Sequence, residues 1–351
     1  MKAYHVIGLM SGTSMDGLDI AFCKFILDSN QWTYEIVQAE TLAYSKEWKQ
    51  RLSSAESSLD LVQTHYDYGY YIGKTVKLFI EKHNIKVDFV SSHGHTLFHQ
   101  PSKRITFQLG HGAAIAAECH LPVVCDFRSL DVALGGQGAP LVPIGDQFLF
   151  PAYDFCLNLG GFANVSFEKD KERIAFDICP VNIMLNELAK KMGKEFDENG
   201  QEGRKGNVSL DLLNELNQLE FYAPQRQGPK SLGKEWLIEH FSPIVNKYPL
   251  SLQDQFSTIY EHVAMQIALA IKREKPGRIL ITGGGAHNSF LIERISALTN
   301  HQPIIPDKRT VDFKEALIFA FLGILKLRGE INCLKSVTGA TRDNSGGVIY
   351  N

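Results

Sequence analysis

The sequence predicts an α/β protein of two domains, each a mixed sheet flanked by helices. The chain has 351 residues, more than a single hydrophobic core usually organises. Strand-like and helix-like stretches alternate along most of it. Three consecutive strands open the chain, and three more open its second half, so the pattern occurs twice. We therefore expect one domain over 1–150 and another over 151–351, with a closing helix over about 313–329 that can pack back on the first.

The first half begins with three strands, predicted over 4–10, 18–26 and 32–43. A helix follows over 59–83, where apolar and aromatic residues recur at helical spacing. Beyond it the pattern predicts a short buried strand, a helix of small residues and another strand, over 87–91, 109–119 and 122–127.

The second half repeats this order from residue 153. Strands are predicted over 153–159, 162–168 and 172–177. A helix over 181–192 and a polar, glycine-rich interlude over 197–207 come next. Helices and strands then alternate over 253–272, 278–282, 287–298, 302–305 and 313–327. No sequence identity between the halves is visible, so the repeat is inferred from element order alone.

Composition indicates a soluble globular protein. Hydrophobic residues make up 44% of the chain and charged residues 21%, and the net charge of −3 favours neither nucleic acid nor an acidic membrane surface as a partner. Six cysteines without CxxC spacing suggest a reducing, cytoplasmic setting. The apolar run 6–10 breaks at once into polar residues, and the run 316–325 is too short to span a bilayer, so we expect no secretion signal and no membrane helix.

The most distinctive stretch is 8–19, where turn-forming residues separate two strands. It predicts a hairpin whose tip offers backbone N–H groups, hydroxyls and carboxylates to one ligand. Glycines allow the backbone to turn tightly and a ligand to approach it, and two carboxylates suit a hydrated Mg²⁺. The groups that we expect to act here are Ser11, Gly12, Thr13, Ser14, Asp16, Gly17 and Asp19. The alternative is an ordinary polar hairpin.

Three histidines, His93, His95 and His99, follow the predicted strand over 87–91. Their spacing invites a metal site, but no acid or cysteine completes the set nearby. A polar strand end lining a ligand cleft is the favoured interpretation, because ligands of α/β sheets bind beyond the carboxyl ends of strands.

Arg128 precedes a run rich in glycine and proline over 135–143. Its guanidinium suits a carboxylate or a phosphate, which it can bind through two parallel hydrogen bonds. A salt bridge to Asp126 or Asp131 is the equally reasonable structural alternative. The run itself is typical of an interdomain connection or a cleft lining.

The second half carries three further motifs. Gly160 and Gly161 lie between two apolar strands and predict a second phosphate-facing hairpin, although a glycine pair alone is weak evidence. A strand, the glycines 283–285 and a helix follow in that order, which lets a flat ligand lie against the backbone. Asp177 ends a strand just before a helix that starts with Pro180. There it should stay ionised and could act as a general base, or it could simply cap the helix.

Taken together, the motifs resemble the anhydro-N-acetylmuramic acid kinase family. The resemblance runs from residue 7 to about 345 and includes five motifs in the family's order and spacing. They are the Gly-Thr-Ser-Met-Asp-Gly tip, the histidine segment, Asp-Phe-Arg with its glycine-rich run, Asn-x-Gly-Gly-x-Ala-Asn and Gly-Gly-Gly-Ala-His-Asn. The resemblance implies two ribonuclease-H-like domains of the kind found in sugar kinases, Hsp70 and actin (the actin-like ATPase fold), with a cleft between them that closes on ATP.

The resemblance also implies a reaction and roles for residues. ATP would phosphorylate O6 of 1,6-anhydro-N-acetylmuramic acid while water opens the anhydro bridge, a step in peptidoglycan recycling. Asp177 would take the proton of the water. The implied ATP-binding residues are Gly12, Thr13, Ser14, Met15, Asp16, Gly17, Leu18, Asp19, Gly160, Gly161, Gly283, Gly284 and Gly285, with Mg²⁺ near Asp16 and Asp19 through water. The implied substrate-binding residues are His93, Arg128, Asn182 and Glu315. Arg128 is our choice for the lactyl carboxylate.

Two departures from the family pattern bear on the substrate. The family usually has Asp-Thr-Gly-Pro-Gly-Asn where residues 177–182 of this chain are Asp-Ile-Cys-Pro-Val-Asn, so Ile178, Cys179 and Val181 differ. The family also commonly has Gln at the position of His95. Bulkier residues beside the base could narrow the sugar pocket. The alternatives are therefore a kinase for a different amino sugar and a non-catalytic sugar or nucleotide sensor. The resemblance further suggests a homodimer.

Overall fold

The chain of the computed structural model divides into two units of dense internal packing. One consists of Met1–Phe150 and Phe313–Asn351, and the other is Pro151–Asp312. The structure describes residues 2–12, 15–57, 59–223 and 230–351. The second unit thus ends at Asp312, and everything from Phe313 onward is counted with the first unit, including the closing helix over about 313–329 that was expected to be able to pack back on it.

Among the described residues, the first unit contains a sheet of seven strands. They are β1 (Lys2–Ser11), β2 (Gly17–Asp28), β3 (Gln31–Ala43), β4 (Phe89–Gln100), β5 (Ile105–Leu109), β6 (Val123–Cys125) and β12 (Val348–Tyr350). The order is β12-β6-β4-β1-β2-β3, and β5 pairs with β4. The first three strands form an antiparallel meander, after which β4 adds parallel to β1 and β6 parallel to β4. The sheet is mixed, as predicted.

Helices cover this sheet. They are α1 (Lys46–Ser54), α2 (Leu61–His83), α3 (Gly112–Cys119), α4 (Ser129–Ala133), α5 (Val142–Leu149), the greater part of α13 (Lys308–Leu327) and α14 (Lys335–Thr338). Side chains of α2 and α3 form one hydrophobic core with β1, β2 and β4. Central strands of a parallel arrangement are buried on both faces, which agrees with the continuous buried stretches of β1 and β4. In β1 that stretch is apolar, whereas in β4 it includes serines and histidines.

Close approach fixes the position of α13 on the first sheet. A methyl group added at Gly8 of β1 would lie 1.9 Å from the carbonyl oxygen of Ala316, and one added at Gly323 would lie 2.6 Å from Ser91 Oγ. Ser91 Oγ donates a hydrogen bond of 2.5 Å to the carbonyl oxygen of Phe319. Together with the pairing of β12 and β6, these contacts explain why the C-terminal segment belongs to the first unit.

The second unit repeats the strand order of the first. Its described strands are β7 (Phe155–Leu159), β8 (Phe162–Lys169), β9 (Glu172–Pro180), β10 (Arg278–Thr282) and β11 (Gln302–Ile304), in the order β11-β10-β7-β8-β9. Strands β7 to β9 form an antiparallel meander, and β10 and β11 add in parallel. The duplication inferred from element order is thus present in the topology, as two ribonuclease-H-like domains require.

The helices of the second unit surround α11. They are α6 (Asn182–Lys191), α7 (Gln201–Lys205), α8 (Leu210–Asn217), α9 (Lys234–Trp236), α10 (Ser242–Lys247), α11 (Leu252–Ala270) and α12 (Ser289–Leu298). The buried face of α11 joins the inner residues of the sheet in a large hydrophobic cluster. The chain returns to the first unit within α13, at Phe313, whose φ of −118° interrupts the helix.

Some elements escaped the sequence analysis. The helices α1, α4, α5, α8, α9, α10 and α14 and the strands β5 and β12 were not predicted. Strand β4 runs on through the histidine segment because β5 pairs with it. The interlude over 197–207 contains α7, whose first N–H groups are capped by the carboxylate of Asp197. All six cysteines are free thiols and buried. No helix in the described part of the chain is long and apolar enough to cross a membrane.

Gly8 provides a test of the packing of α13. We expect Gly8→Ala to lower the free energy of unfolding by about 3 kcal/mol, because backbone atoms of α13 cannot yield to the new methyl group. Urea denaturation measures the effect. Gly161→Ala is the matched control, since its methyl group would lie 3.8 Å from Ile183 Cβ, an ordinary contact. Equal stability of both variants would contradict the packing.

Candidate active site

The tip between β1 and β2 is the predicted phosphate-facing hairpin. The strands remain paired up to Ser11 and Leu18, and the Met15 N–H donates to the Gly12 carbonyl at 3.2 Å. Thr13 and Ser14, two of the expected phosphate donors, lie outside the described residues. Packing within the sheet requires glycine at position 17, because a Cβ on Gly17 would lie 2.5 Å from the Leu42 carbonyl oxygen. The side chain of Leu18 belongs to the core, so only its backbone could face a ligand.

Ser11 is buried and its hydroxyl is used inside the protein. The Tyr44 hydroxyl donates to Ser11 Oγ at 2.7 Å, and Ser11 Oγ lies 3.0 Å from His95 Nδ1. The Tyr44 and Tyr68 hydroxyls are 2.5 Å apart. Burial lowers the pKa of His95, which favours a neutral ring whose Nδ1 accepts from Ser11. The expectation that Ser11 donates to phosphate is therefore replaced by a supporting role: it anchors the last residue of β1 before the tip.

Asp16 and Asp19 differ in their surroundings. Asp16 is exposed at the tip, whereas Asp19 is half-buried on β2 and accepts a hydrogen bond of 2.6 Å from Thr41 Oγ1. Glu315, near the start of α13, has a raised pKa because it is buried and because Asp19 is close, with Arg128 acting in the opposite direction. Asp19 and Arg128 thus both act electrostatically on Glu315 within the first unit.

His93 and Arg128 form the best-defined contact of that neighbourhood. Arg128 Nε donates to His93 Nε2 at 2.9 Å, and Arg128 Nη1 donates to the Gly138 carbonyl at 2.6 Å. His93 Nδ1 lies 2.9 Å from the Gly94 carbonyl, so the proton is placed on Nδ1 and Nε2 accepts. Burial and the Arg128 charge keep the pKa of His93 well below its usual value. The sequence-level alternative, a salt bridge from Arg128 to Asp126 or Asp131, is not what the described contacts show.

The histidine segment contains no metal site in the part of the chain that the structure describes. Burial lowers the pKa of His99, as it does that of His93 and His95, and the Arg128 charge contributes. The three rings serve as hydrogen-bonding groups: His99 Nδ1 lies 3.2 Å from Thr106 Oγ1 on β5.

In the second unit, Asn182 holds the glycine turn between β7 and β8. Its Nδ2 donates to the Leu159 carbonyl at 2.9 Å and to the Gly160 carbonyl at 2.8 Å. The backbone N–H of Val181 and that of Ile183 both donate to the Gly161 carbonyl. The expected role of Asn182 in substrate binding is thus accompanied by a structural one, since its amide N–H groups fix the turn between β7 and β8.

The glycines 283–285 lie beside the same turn. Gly283 has φ of +82°, and a Cβ there would lie 2.5 Å from Asn158 Oδ1; a Cβ at Gly285 would lie 2.7 Å from Leu159 Cβ. These two positions require glycine for packing. At Gly160 and Gly284, by contrast, an added Cβ would meet no atom closer than 3.5 and 3.7 Å. A ligand can therefore approach the backbone there.

Asp177 lies within β9, where a bulge places Ile178 opposite no partner: Asn164 pairs with Asp177 and Ala163 with Cys179. A bulge re-aims the side chains beside it. Asp177 Oδ2 accepts from the Leu232 N–H at 2.8 Å, and the Asp177 N–H donates to the Lys230 carbonyl at 2.9 Å. Strand β9 continues to Pro180 and the Asp177 side chain does not cap α6.

The carboxyl group of Asp177 is less acidic than expected. Burial raises its pKa to about 6, although the Leu232 N–H opposes the shift. The expectation from the sequence was that the nearby helix N-terminus would favour the ionised form; loss of hydration outweighs that effect. A carboxylate with a pKa near neutrality is suited to accept a proton.

The residues that depart from the family pattern face the protein core. Ile178, Cys179 and Val181 are buried in the hydrophobic cluster of the second unit. Their extra volume is therefore taken up by packing under the bulge and the start of α6.

Comparison with known proteins gives the family. The family model described as anhydro-N-acetylmuramic acid kinase matches residues 4–351. The chain belongs to the anhydro-N-acetylmuramic acid kinase family. It is 33% identical to the anhydro-N-acetylmuramic acid kinase of Aliivibrio fischeri over 98% of each chain, and 33% identical to that of Francisella tularensis subsp. novicida over 96% of each. Family membership confirms the resemblance stated from the motifs.

Solved structures of other proteins share less with the chain. The activator of the 2-hydroxyisocaproyl-CoA dehydratase from Clostridium difficile with bound ADPNP is 15% identical, with a TM-score of 0.45 over 92% of this chain and 97% of that one. A ROK family glucokinase from Streptomyces griseus in complex with glucose and AMPPNP is 10% identical, with a TM-score of 0.40 over 90% and 97%. The assignment to the family rests on the sequence matches.

Sequence reasoning missed the groups that support these side chains. The Tyr44 hydroxyl donates to Ser11, and the Leu232 N–H donates to Asp177. Both donors are distant in sequence from the residues that they contact. No motif marks either position. The one sequence feature that pointed to the Ser11 contact was the presence of His95 where the family commonly has Gln.

The raised pKa of Asp177 predicts a stability effect. In the unfolded chain the carboxyl ionises near its ordinary pKa, so the folded state loses stability as pH rises from about 4 to about 6, by at most about 3 kcal/mol. We expect Asp177→Asn to be more stable than the parent at pH 8 and equally stable near pH 3.5.

Urea denaturation at the two pH values measures this difference. Asp170→Asn, in the exposed turn between β8 and β9, is the control and should change stability little at either pH. A variant at Asp177 that is destabilised at pH 8 would contradict the burial argument.

Proposed function

We propose that the protein is an ATP-dependent kinase that opens the anhydro ring of 1,6-anhydro-N-acetylmuramic acid and phosphorylates O6. The products are N-acetylmuramic acid 6-phosphate and ADP, and the step belongs to peptidoglycan recycling. One observation carries the proposal: in a chain matched by this family over residues 4–351, the carboxylate at the family's catalytic position is half-buried, with its pKa near 6. Membership of the family supports the substrate, and the environment of Asp177 supports the chemistry.

In each unit, glycine turns contain the residues that we assign to nucleotide binding. In the second unit, a Cβ added at Gly160, Gly161 or Gly284 would meet protein atoms only at 3.5 Å or beyond, so packing does not demand glycine there, and a bare backbone at these positions suits close approach by phosphates and an adenosine. Gly283 and Gly285 lie on either side of Gly284 in the turn after β10. In the first unit, the backbone of 12–19 supplies N–H groups, with Thr13 and Ser14 as further donors. Anchoring of Ser11 by Tyr44 supports a fixed tip.

Mg²⁺ is assigned to Asp16 and Asp19 through water. When Mg²⁺ binds with a nucleotide, it prefers one or two carboxylates and water as ligands. The Asp16 side chain is exposed and the Asp19 side chain is half-buried. The ion would neutralise charge on the transferring phosphoryl group.

The sugar is assigned to His93, Arg128, Asn182 and Glu315. Arg128 is oriented by His93 and Gly138 through Nε and Nη1, and in the described chain no hydrogen bond uses Nη2. A carboxylate is the natural partner for a guanidinium presented in this way, and the lactyl group of N-acetylmuramic acid carries one.

The mechanism follows from the position of the base. Asp177 takes a proton from water as the water oxygen bonds to C1 of the sugar. The C1–O6 bond breaks, its electron pair stays on O6, and O6 bonds to the γ-phosphorus as ADP leaves. The proton on Asp177 is then returned to solvent. Positioning of the three reactants supplies most of the acceleration, since phosphoryl transfer needs little covalent help from the protein.

The remaining assignments follow from family and composition. We propose a homodimer acting in the cytoplasm on a small amino sugar, with neither nucleic acid nor membrane as partner. The net charge of −3 and the buried cysteines support this setting.

Replacing the base tests the mechanism. We expect Asp177→Asn to lower kcat by about 10³-fold or more with little change in ATP affinity, because an amide cannot accept the proton. In the parent enzyme, kcat/KM should fall below about pH 6 with the loss of one ionised group. Steady-state kinetics and calorimetry with an ATP analogue measure both, and Asp170→Asn is the control. Full activity of Asp177→Asn would remove the residue from this role.

A panel of sugars tests the substrate. Turnover should be greatest with 1,6-anhydro-N-acetylmuramic acid, and below it with N-acetylmuramic acid and N-acetylglucosamine. Turnover of a reducing sugar only would reject ring opening and favour a kinase for another amino sugar. No turnover at all, with ligand binding intact, would favour a sensor.

Arg128 provides a separate prediction. We expect Arg128→Gln to raise KM for the anhydro sugar by about 10- to 100-fold, the equivalent of one charge-assisted hydrogen bond, and to leave KM for ATP unchanged. The anhydro sugar without the lactyl group, 1,6-anhydro-N-acetylglucosamine, should bind the parent and the variant alike. A parallel loss for both sugars would exclude a contact to the carboxylate.

A further inference from the structure

Asp131 is a fully buried carboxyl group that takes no part in the mechanism above. It lies on α4 with a relative exposure of 0%. Its Oδ1 accepts from Cys333 Sγ, Thr338 Oγ1 and Asn344 Nδ2 at 3.0, 2.8 and 2.9 Å. Its Oδ2 accepts from the Gly138 N–H at 2.7 Å. Four donors converge on one side chain, far more order than a lone surface carboxyl shows.

The two oxygens of Asp131 serve different segments. All donors to Oδ1 come from the C-terminal stretch 333–344, so this oxygen secures the end of the chain. The donor to Oδ2 comes from the glycine-rich run after α4. Loss of an Oδ1 donor and loss of the Oδ2 contact can therefore be separated by experiment.

Gly138 links Asp131 to the sugar-binding arginine. Its N–H donates to Asp131 Oδ2, and its carbonyl accepts from Arg128 Nη1 at 2.6 Å. Its φ is +66°, and an added Cβ would lie 2.6 Å from Val132 Cγ2, so the residue has one conformation that only glycine adopts readily. A residue held at both its N–H and its carbonyl transmits the position of Asp131 to the guanidinium.

We propose that Asp131 is a positioning residue that fixes Arg128 through Gly138 and thereby sets the preference for a sugar bearing a carboxylate. The inference rests on the proposed function, in which Arg128 contacts the lactyl group. The guanidinium has two protein acceptors, His93 Nε2 and the Gly138 carbonyl. If the second acceptor moves, the plane of the guanidinium rotates about the first, and the hydrogen bond from Nη2 to a carboxylate is lost.

The test compares the affinities of two sugars. We expect Asp131→Asn to weaken binding of 1,6-anhydro-N-acetylmuramic acid about tenfold and to leave binding of 1,6-anhydro-N-acetylglucosamine and of an ATP analogue within about twofold, since about one hydrogen bond is lost. Calorimetry on the full-length protein gives the three dissociation constants. A structural defect alone would weaken all three ligands together.

Two further variants keep the test decisive. Thr338→Val removes one donor to Oδ1 and leaves the Gly138 contact in place, so it should lower stability without changing the preference. Gly138→Ala displaces the linking residue while the Asp131 carboxyl stays, so it should reproduce the loss of preference even if Asp131→Asn does not fold. In the double variant Asp131→Asn/Gly138→Ala, the losses of affinity for 1,6-anhydro-N-acetylmuramic acid caused by the two substitutions should not add.

The outcomes distinguish a failure of the Asp131 inference from a failure of the proposed function on which it rests. A parent protein without preference for the carboxylate-bearing sugar overturns the assignment of Arg128 and, with it, this inference. A parent with that preference, retained in both Asp131→Asn and Gly138→Ala, overturns the inference alone.

Discussion

The contact between α13 and the first sheet is the constraint on which the first unit depends. At Gly8 and Gly323 the helix and the sheet approach so closely that no side chain fits between them. That approach brings Glu315 within electrostatic range of Asp19 and Arg128, and it packs the Phe319 ring against His93 at a centroid distance of 4.5 Å, with the two ring planes tilted by 48°. Residues separated by more than two hundred positions thus meet because two glycines lack side chains.

Burial of polar groups is the second recurring feature. Ser11, His93, His95 and Asp131 are all nearly inaccessible, and each has hydrogen-bond partners that offset the loss of water. Asp177 differs from them, because within the described part of the chain its carboxylate has one hydrogen-bond partner, the Leu232 N–H, and burial raises its pKa. The contrast separates groups that hold the structure from a carboxyl group whose pKa of about 6 allows it to change its protonation state near neutral pH.

Much of the fold could be predicted from the sequence because its signals are local. The strands of both meanders follow from apolar and β-branched runs between turn residues, and the repeat follows from their order. Strand β12 has three residues and pairs with an equally short β6, so neither length nor periodicity marks it. A closing helix able to pack back on the first domain was expected, but the close contact with Gly8 that fixes its position is not visible in the sequence of either segment.

The site was predictable in its chemistry more than in its contacts. The family motifs led to Asp177, Arg128 and the glycine turns, since these residue types are the ones that the reaction needs. The expectation for Ser11 failed because a hydroxyl can face a ligand or the protein, and only the fold decides between them. The partners of Asp131 come from residues 138, 333, 338 and 344, a set that no sequence spacing brings together.

The buried cysteines give the molecule built-in reporters of local opening. Cys23, Cys119, Cys125 and Cys333 belong to the first unit, while Cys156 and Cys179 belong to the second, and all are shielded from solvent in the folded chain. A thiol reagent can modify such a residue only after the surrounding structure opens. Mass spectrometry of the alkylated peptides would therefore time the unfolding of each unit separately, with no label introduced into the protein.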